Sequence, residues 1–347
     1  MTAPADSLHG PARGHEDSAV PPLSDEETSV LAEAARWAPS IHNSQPWRLR
    51  RTSHGIEVFE DLSRALPVID PTGRDRLISC GAAVLNARVA LRALGYQPKV
   101  TLLPDPLDAA HVATVRAVGH RPASEDDVRL HQMIPLRHTH RRVYRSHVVA
   151  EDDLLELRRA TSAEGARLSI ADSPARRRLA HLLRRAVVAQ SADARLRDEV
   201  EHWVRREGRG HVDGIPSAAL GTSPFPVDSL VHGGHRGTPE VDEVEEELAR
   251  STVLVISTRE DSRHDWVLSG LALERLLLTA TAKGLVATFT DQPLQESSVR
   301  PEVAEALGIW GRPQVLLRIG RALVEAPATP RRPLHELFEA RDRPRMA

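Results

Sequence analysis

Three short stretches of this 347-residue chain hold more polar side chains than turning a chain requires. The first, "RWAPSIHNSQPWRLR" from Arg36 to Arg50, sets Pro, Ser, His, Asn, Ser, Gln and Pro between the end of an apolar helix and a strand carrying a Trp. A plain connection needs only a few turn residues, so this one reads as a binding loop. The second, "LRHTHRRVYRSHVV", carries Arg137, Thr139, Arg141 and Arg142 ahead of a helix. Alternation along an extended segment predicts Arg137, Thr139 and Arg141 on one side, two guanidinium forks around a hydroxyl, which suits a phosphate monoester. The third, "TPRRP", places Arg331 and Arg332 near the C-terminus. In a chain so rich in arginine, solvated surface positions account for the arginine clusters equally well until something joins them.

Other constellations are poorer. "HGGH" (His232 to His235) and "HTH" (His138 to His140) look like metal-ligand pairs, but no adjacent Asp, Glu or Cys completes a set at familiar spacing. No G-x-S-x-G, P-loop or G-x-G-x-x-G occurs. His42 lies in the loop, where a lone His is commonly a hydrogen-bonded structural residue or a solvent-facing one, and Trp47 reads as a core aromatic opening a hairpin.

"APSIHNSQPW", Ala38 to Trp47, resembles the A-P-S-x-x-N-x-Q-P-W loop of the nitroreductase superfamily of FMN enzymes, matching at seven positions. "RHTHRR" is similar to that family's R-x-S/T-x-R opening, and "TDQP", Thr290 to Pro293, stands where the family's loop beside the flavin ring follows a core strand. The Arg-Thr-Arg motif opens the second half of this chain, while the Asn-Gln-Pro-Trp loop occurs only in the first. That order resembles the Acg-like nitroreductase family, in which one chain imitates the usual dimer. The resemblance implies FMN as cofactor, held by Pro39, Ser40 and Asn43 from the first half. From the second it implies Arg137, Thr139 and Arg141 at phosphate and ribityl, Gln292 and Pro293 by the ring, and Arg331 or Arg332 closing the phosphate cage. It also implies one flavin per chain, NAD(P)H as a transient donor and a nitroaromatic or quinone as acceptor, with no catalytic side chain beyond the flavin. A flavin-storage protein, its ring covered by an internal lid, is the rival reading.

The elements that position these stretches are legible from pattern. "SDEETSVLAEAARWA" from Ser24 has an N-cap serine, an acidic first turn and helical apolar spacing, and "WRLRRTSHGIEVFED" reads as a hairpin. "GAAVLNARVALRALG" (Gly81 to Gly95) and "GLALERLLLTATAKG" (Gly270 to Gly284) are apolar helices bounded by glycines, each leading into a strand, at a constant offset of 189 residues. We read them as an internal duplication. With further strands at Val112–Val118, Arg167–Ile170, Thr252–Ser257 and Gln314–Ile319 interspersed with helices, the class is α+β. The expected fold is nitroreductase-like, with two lobes related by a pseudo-twofold axis, each carrying a mainly antiparallel sheet and helices. The expected division is a flexible tail at 1–22, one half at 23–130 and a second at 131–347, with an irregular, lid-like insertion at 207–239.

Composition narrows the partners. Lys+Arg 46 against Asp+Glu 48 gives a net charge of -2, so no overall field favours nucleic acid or an anionic membrane. The basic helix "SPARRRLAHLLRRAVVAQ" is offset by acidic neighbours and reads as a solvated face. Cys80 is the single cysteine, which excludes an internal disulfide and fits a reducing, cytoplasmic setting. No uncharged apolar run approaches the roughly 20 residues that span a bilayer. A fused dimer has satisfied its main interface already, so a monomer is expected.

Overall fold

A computed structural model describes residues 20–145, 149–205, 210–220 and 239–338. Most of the tail, much of the irregular insertion and all of HGGH lie outside the described residues. Helix α1, Asp25–Arg36, begins at a reciprocal cap: Glu27 N donates to Ser24 Oγ (3.1 Å) and Ser24 N donates to Glu27 Oε2 (2.8 Å). Strands β1 (Trp47–Thr52) and β2 (Gly55–Glu60) form the expected hairpin, with Trp47 opposite Glu60 and its ring fully buried. After helix α2 (Arg74–Ala93) come β3 (Tyr96–Leu102) and β4 (His111–His120), completing an antiparallel sheet of order β1-β2-β4-β3.

Helices α3 (Glu125–Met133) and α4 (Glu151–Ser162) lead to β5 (Arg167–Ile170), then to α5 (Ser173–Ala192) and α6 (Ala194–His202). Two short strands, β6 (Val204–Arg205) and β7 (Ile215–Pro216), pair in parallel across the start of the irregular segment. Helix α7 (Val241–Ala249), β8 (Thr252–Thr258), helix α8 (Arg263–Ala282), β9 (Val286–Phe289), a single-turn α9 (Gln292–Gln295), α10 (Arg300–Leu307) and β10 (Arg312–Gly320) follow. The second sheet is also antiparallel, of order β5-β8-β10-β9. Within each sheet the first, second, fourth and third strands to arrive lie side by side. The class is α+β, as the strand and helix patterns predicted.

Helices α2 and α8 are the axis of the molecule, and their glycines need correcting. The sequence reading put Gly81 and Gly270 at helix starts; both lie inside helices that begin seven residues earlier. The first turn of α2 is charged: Arg74 pairs with Asp75 and Arg76 Nε with Glu60 Oε2 (both 2.6 Å). The glycines mark where the two backbones touch. A Cβ on Gly81 would lie 2.1 Å from Val267 O, and one on Gly270 would lie 2.0 Å from Ile78 O. Only glycine permits that crossing. Gly95 and Gly284, at φ 86° and 70°, end the helices in the left-handed region as C-terminal glycines do.

The crossing interleaves the cores. Val267, Leu271 and Leu278 of α8 are buried with Leu31, Leu85 and Val115 of the first sheet's core, whereas Ile78 of α2 is buried with Leu254, Leu276 and Leu317 of the second. The C-terminal segment crosses back as well. In helix α11 (Leu334–Leu337), Leu337 is fully buried in the first core, and Phe338 bridges to Leu49 of β1. On α5, Arg178 Nε donates to Ala306 O (2.7 Å) and Arg185 pairs with Glu302 (2.6 Å), so part of its basic face serves packing. No helix among the described residues is long and apolar enough to cross a membrane.

Candidate functional site

The polar loop between α1 and β1 is strained. His42, Asn43 and Gln45 all have positive φ, 49°, 55° and 50°, a conformation costing non-glycine residues about 1–2 kcal/mol each. What holds it is the loop's own polar side chains. Asn43 Nδ2 donates to Gly214 O (2.9 Å) and Pro330 O (3.0 Å), while Arg331 Nη1 donates to Asn43 Oδ1 (3.1 Å). Gln45 Nε2 donates to Val212 O (3.0 Å), and Gln45 Oε1 accepts from Arg332 N (2.9 Å). The loop is thereby clamped between the described part of the irregular segment and the returning C-terminal segment. Arg64 and Arg205 reinforce the first contact, both ion-paired to Asp213 and both over the Trp203 ring.

Against this loop lies a cleft of about 1090 Å³, open mouth included. Pro39, Ser40 and His42 line it from the first half of the chain, Thr139, Arg141 and Arg142 from the second. Ile78, Leu273, Phe289 and Val315 give it an apolar wall, Ile215 of β7 reaches it from the irregular segment, and Asp75, Asp291 and Gln292 line it too. Both sheets' helices and loops therefore build one cavity.

Its electrostatics are divided. Arg141 and Arg142 bring cationic groups, and Arg142 Nη2 donates to Ala218 O (3.2 Å). Burial, and the Arg141 guanidinium after it, lower the His42 pKa to about 4, so this imidazole is neutral near pH 7. Burial and the neighbouring Asp75 charge raise Asp291 to about 7. The lining atoms His42 Nε2 and Gln292 Oε1 are buried without a hydrogen-bond partner among the described residues. Buried polar atoms are rarely left so, and here they point to a polar ligand.

Of the residues singled out from sequence, Pro39, Ser40, Thr139, Arg141 and Gln292 line the cleft. Asn43, Arg137, Pro293, Arg331 and Arg332 stand outside its lining. Arg137 does not share a side with Thr139 and Arg141 as alternation predicted. Its Nη2 donates to Trp37 O (2.8 Å), and its Nε lies 3.5 Å from Glu274 Oε1, a carboxyl on α8 raised to about 7 by burial. Arg331 lies over the Trp37 ring, and burial, then Arg137, lowers its pKa to about 9. Arg332 Nη1 donates to Gln45 O (3.3 Å) and lies 3.7 Å from Asp61 Oδ2. Pro293 is buried in the short turn after Asp291. Sequence reasoning missed Asp75 and Asp291; Asp75 looked like an ordinary acidic residue, although Asp291 sat inside the TDQP motif. Among the described residues no three His, Cys, Asp or Glu side chains could hold a metal.

No protein-family model matches the chain. It is 36% identical over 326 residues to "Putative NAD(P)H nitroreductase Rv3131" of Mycobacterium tuberculosis (strain ATCC 25618 / H37Rv), covering 91% of this chain and 92% of that protein. To "Putative NAD(P)H nitroreductase acg" of the same strain it is 32% identical over 333 residues, covering 90% of this chain and 96% of that one. The chain belongs to this nitroreductase family. The family was legible in the Ala38–Trp47 loop, and the relatives span nearly the same length. Among solved structures, the FMN-dependent nitroreductase NfnB from Mycobacterium smegmatis in complex with NADPH is 17% identical, with 61% of this chain and 97% of that chain covered and a TM-score of 0.39.

Proposed function

We propose that this nitroreductase-family chain is an FMN-dependent oxidoreductase that takes hydride from NAD(P)H and passes it to a small acceptor of nitroaromatic or quinone type, in alternating half-reactions. The observation that carries the reading is the cleft itself. Residues from both halves of the chain meet there, with polar atoms of His42 and Gln292 left to a ligand.

The residues present fit FMN. Arg141 and Arg142 would hold the phosphate, Ser40 and Thr139 would offer hydroxyls to the ribityl chain, and Gln292 an amide to the ring edge. Ile78, Leu273, Phe289 and Val315 would exclude water from an aromatic ring system. Bound there, FMN would supply the hydride chemistry, leaving the protein to bind, orient and shield. Asn43, Gln45, Arg331 and Arg332 act behind this layer by holding the loop in its strained shape. The matching strand orders and the Gly81–Gly270 crossing support a duplicated chain imitating a dimer about a pseudo-twofold axis. On that reading it works as a monomer with one flavin.

A storage role has one observation in its favour. Val212 and Gly214 are tied to the loop and Ile215 lines the cleft, so the irregular segment covers part of the site. Arg141→Ala separates a flavin site from a chance cavity. Losing a charge-assisted contact should weaken FMN binding about 10- to 100-fold by fluorescence titration. Unchanged affinity would refute the phosphate assignment.

A further inference from the structure

Two carboxyl groups in the cleft have no role in binding an anionic, aromatic cofactor. Asp75, in the first turn of α2, is fully engaged. Its Oδ1 lies 2.6 Å from Arg74 Nη2, and its Oδ2 accepts from Gln295 Nε2 at 2.8 Å. Asp291, at the end of the loop after β9, accepts from Leu316 N through Oδ1 at 2.6 Å. No donor among the described residues reaches its Oδ2. The next residue, Gln292, is 5% exposed and keeps Oε1 without a partner on the same cleft, so a ligand is expected beside this carboxyl.

The reaction proposed above needs a proton as well as a hydride. Reduction of a quinone or nitro group follows acceptor + NAD(P)H + H⁺ → reduced acceptor + NAD(P)⁺, with water as a further product when a nitro group becomes nitroso. The donor loses two electrons as hydride; the acceptor gains them and forms one O–H bond with a proton from elsewhere. Resting on that reading, we propose that Asp291 is the general acid that delivers this proton to the acceptor oxygen, with Asp75 as its fixed carboxylate neighbour. The Asp291 O–H bond breaks as the acceptor O–H bond forms, and the carboxylate left behind takes a proton from solvent before the next turnover.

The groups facing Asp291 suit the task. Burial first, and Asp75 second, oppose its ionisation; the Leu316 amide and Arg74 favour it, and the outcome is a carboxyl raised to about 7. His42, Arg141, Arg142 and Arg318 line the same cleft; His42 is neutral near pH 7, Arg318 is ion-paired to Glu247 at 3.0 Å, and Arg141 and Arg142 are the two assigned above to the phosphate. Asp70 is likewise raised to about 7 by burial and by Asp75, and accepts from Asp75 N (3.1 Å).

The test uses Asp291→Asn on the full chain, with two readouts. With ¹³C-labelled aspartate, wild type should show two carboxyls titrating near neutrality, Asp70 and Asp291, and the variant should lose one. In turnover, kcat should fall about 10- to 100-fold with KM for the acceptor little changed, the decline in rate above neutral pH should vanish, and Asp291→Glu should restore part of both. If the variant fails to fold, Asp75→Asn serves instead: both titrations should move to lower pH, and the pH at which the rate declines should follow. An unchanged pH–rate profile in Asp291→Asn, or no neutral titration lost, overturns the assignment. Flavin content measured on the same samples keeps the two readings apart. Protein that takes up no flavin refutes the proposed function, whereas the carboxyl titration judges Asp291 independently.

Discussion

At the scale of single residues, the loop that resembled a set of ligands is largely its own scaffold. Asn43 spends both amide N–H donors on Gly214 and Pro330 and accepts from Arg331, so its hydrogen bonds hold the loop. Asn43→Ala should therefore lower stability by about 1–3 kcal/mol, because Gly214 O loses its side-chain donor while Arg331 keeps Thr329 and Pro330, measurable by denaturant unfolding; wild-type stability would show that the clamp is not formed. His42 differs, since its ring lines the cleft and is held neutral. The unfolded chain takes up this proton near the ordinary histidine value of 6.5, the folded one near 4. Its contribution to stability is thus complete above 6.5 and lost as pH falls towards 4. By NMR its imidazole should remain neutral at pH 5.5, and His42→Asn, which tolerates positive φ, should show a shallower loss of stability over that window. A charged His42 ring at pH 6 would contradict this.

At the scale of elements, the backbone contact between α2 and α8 makes a sharp forecast. Gly81→Ala or Gly270→Ala places a methyl 2.0–2.1 Å from a carbonyl oxygen, so the helices must separate. Thermal melting should show a loss of about 3 kcal/mol or more. Gly95→Ala, with its nearest neighbour at 3.9 Å, carries only the penalty of φ 86°, about 1–2 kcal/mol. Equal effects at all three sites would mean that the crossing is looser than described. Features encoded over a few residues were readable in advance: the Ser24 cap, the Trp47 hairpin, the strand at Arg167–Ile170. What escaped depends on partners remote in sequence. The 189-residue spacing was visible, but a glycine's neighbour across a crossing is not, and neither was the turn of Arg137 towards Glu274. Asp75 and Asp291 become one feature only when α2 and the loop after β9 converge.

At the scale of the whole molecule, the cores interleave through α2 and α8, and the C-terminal segment closes on the first sheet. The halves should consequently unfold together, in a single transition by calorimetry. Two separated transitions would indicate independent lobes. The cleft belongs to neither half alone, which is why a chain of this architecture should carry one flavin. The most direct test is an absorption spectrum of the purified protein, reconstituted with FMN where needed and followed anaerobically after adding NADPH, then NADH. One equivalent of FMN per chain, bleached rapidly by one of the two donors, is the expected result. Protein that binds no FMN, or whose bound FMN persists against both donors, would contradict an NAD(P)H-linked oxidoreductase.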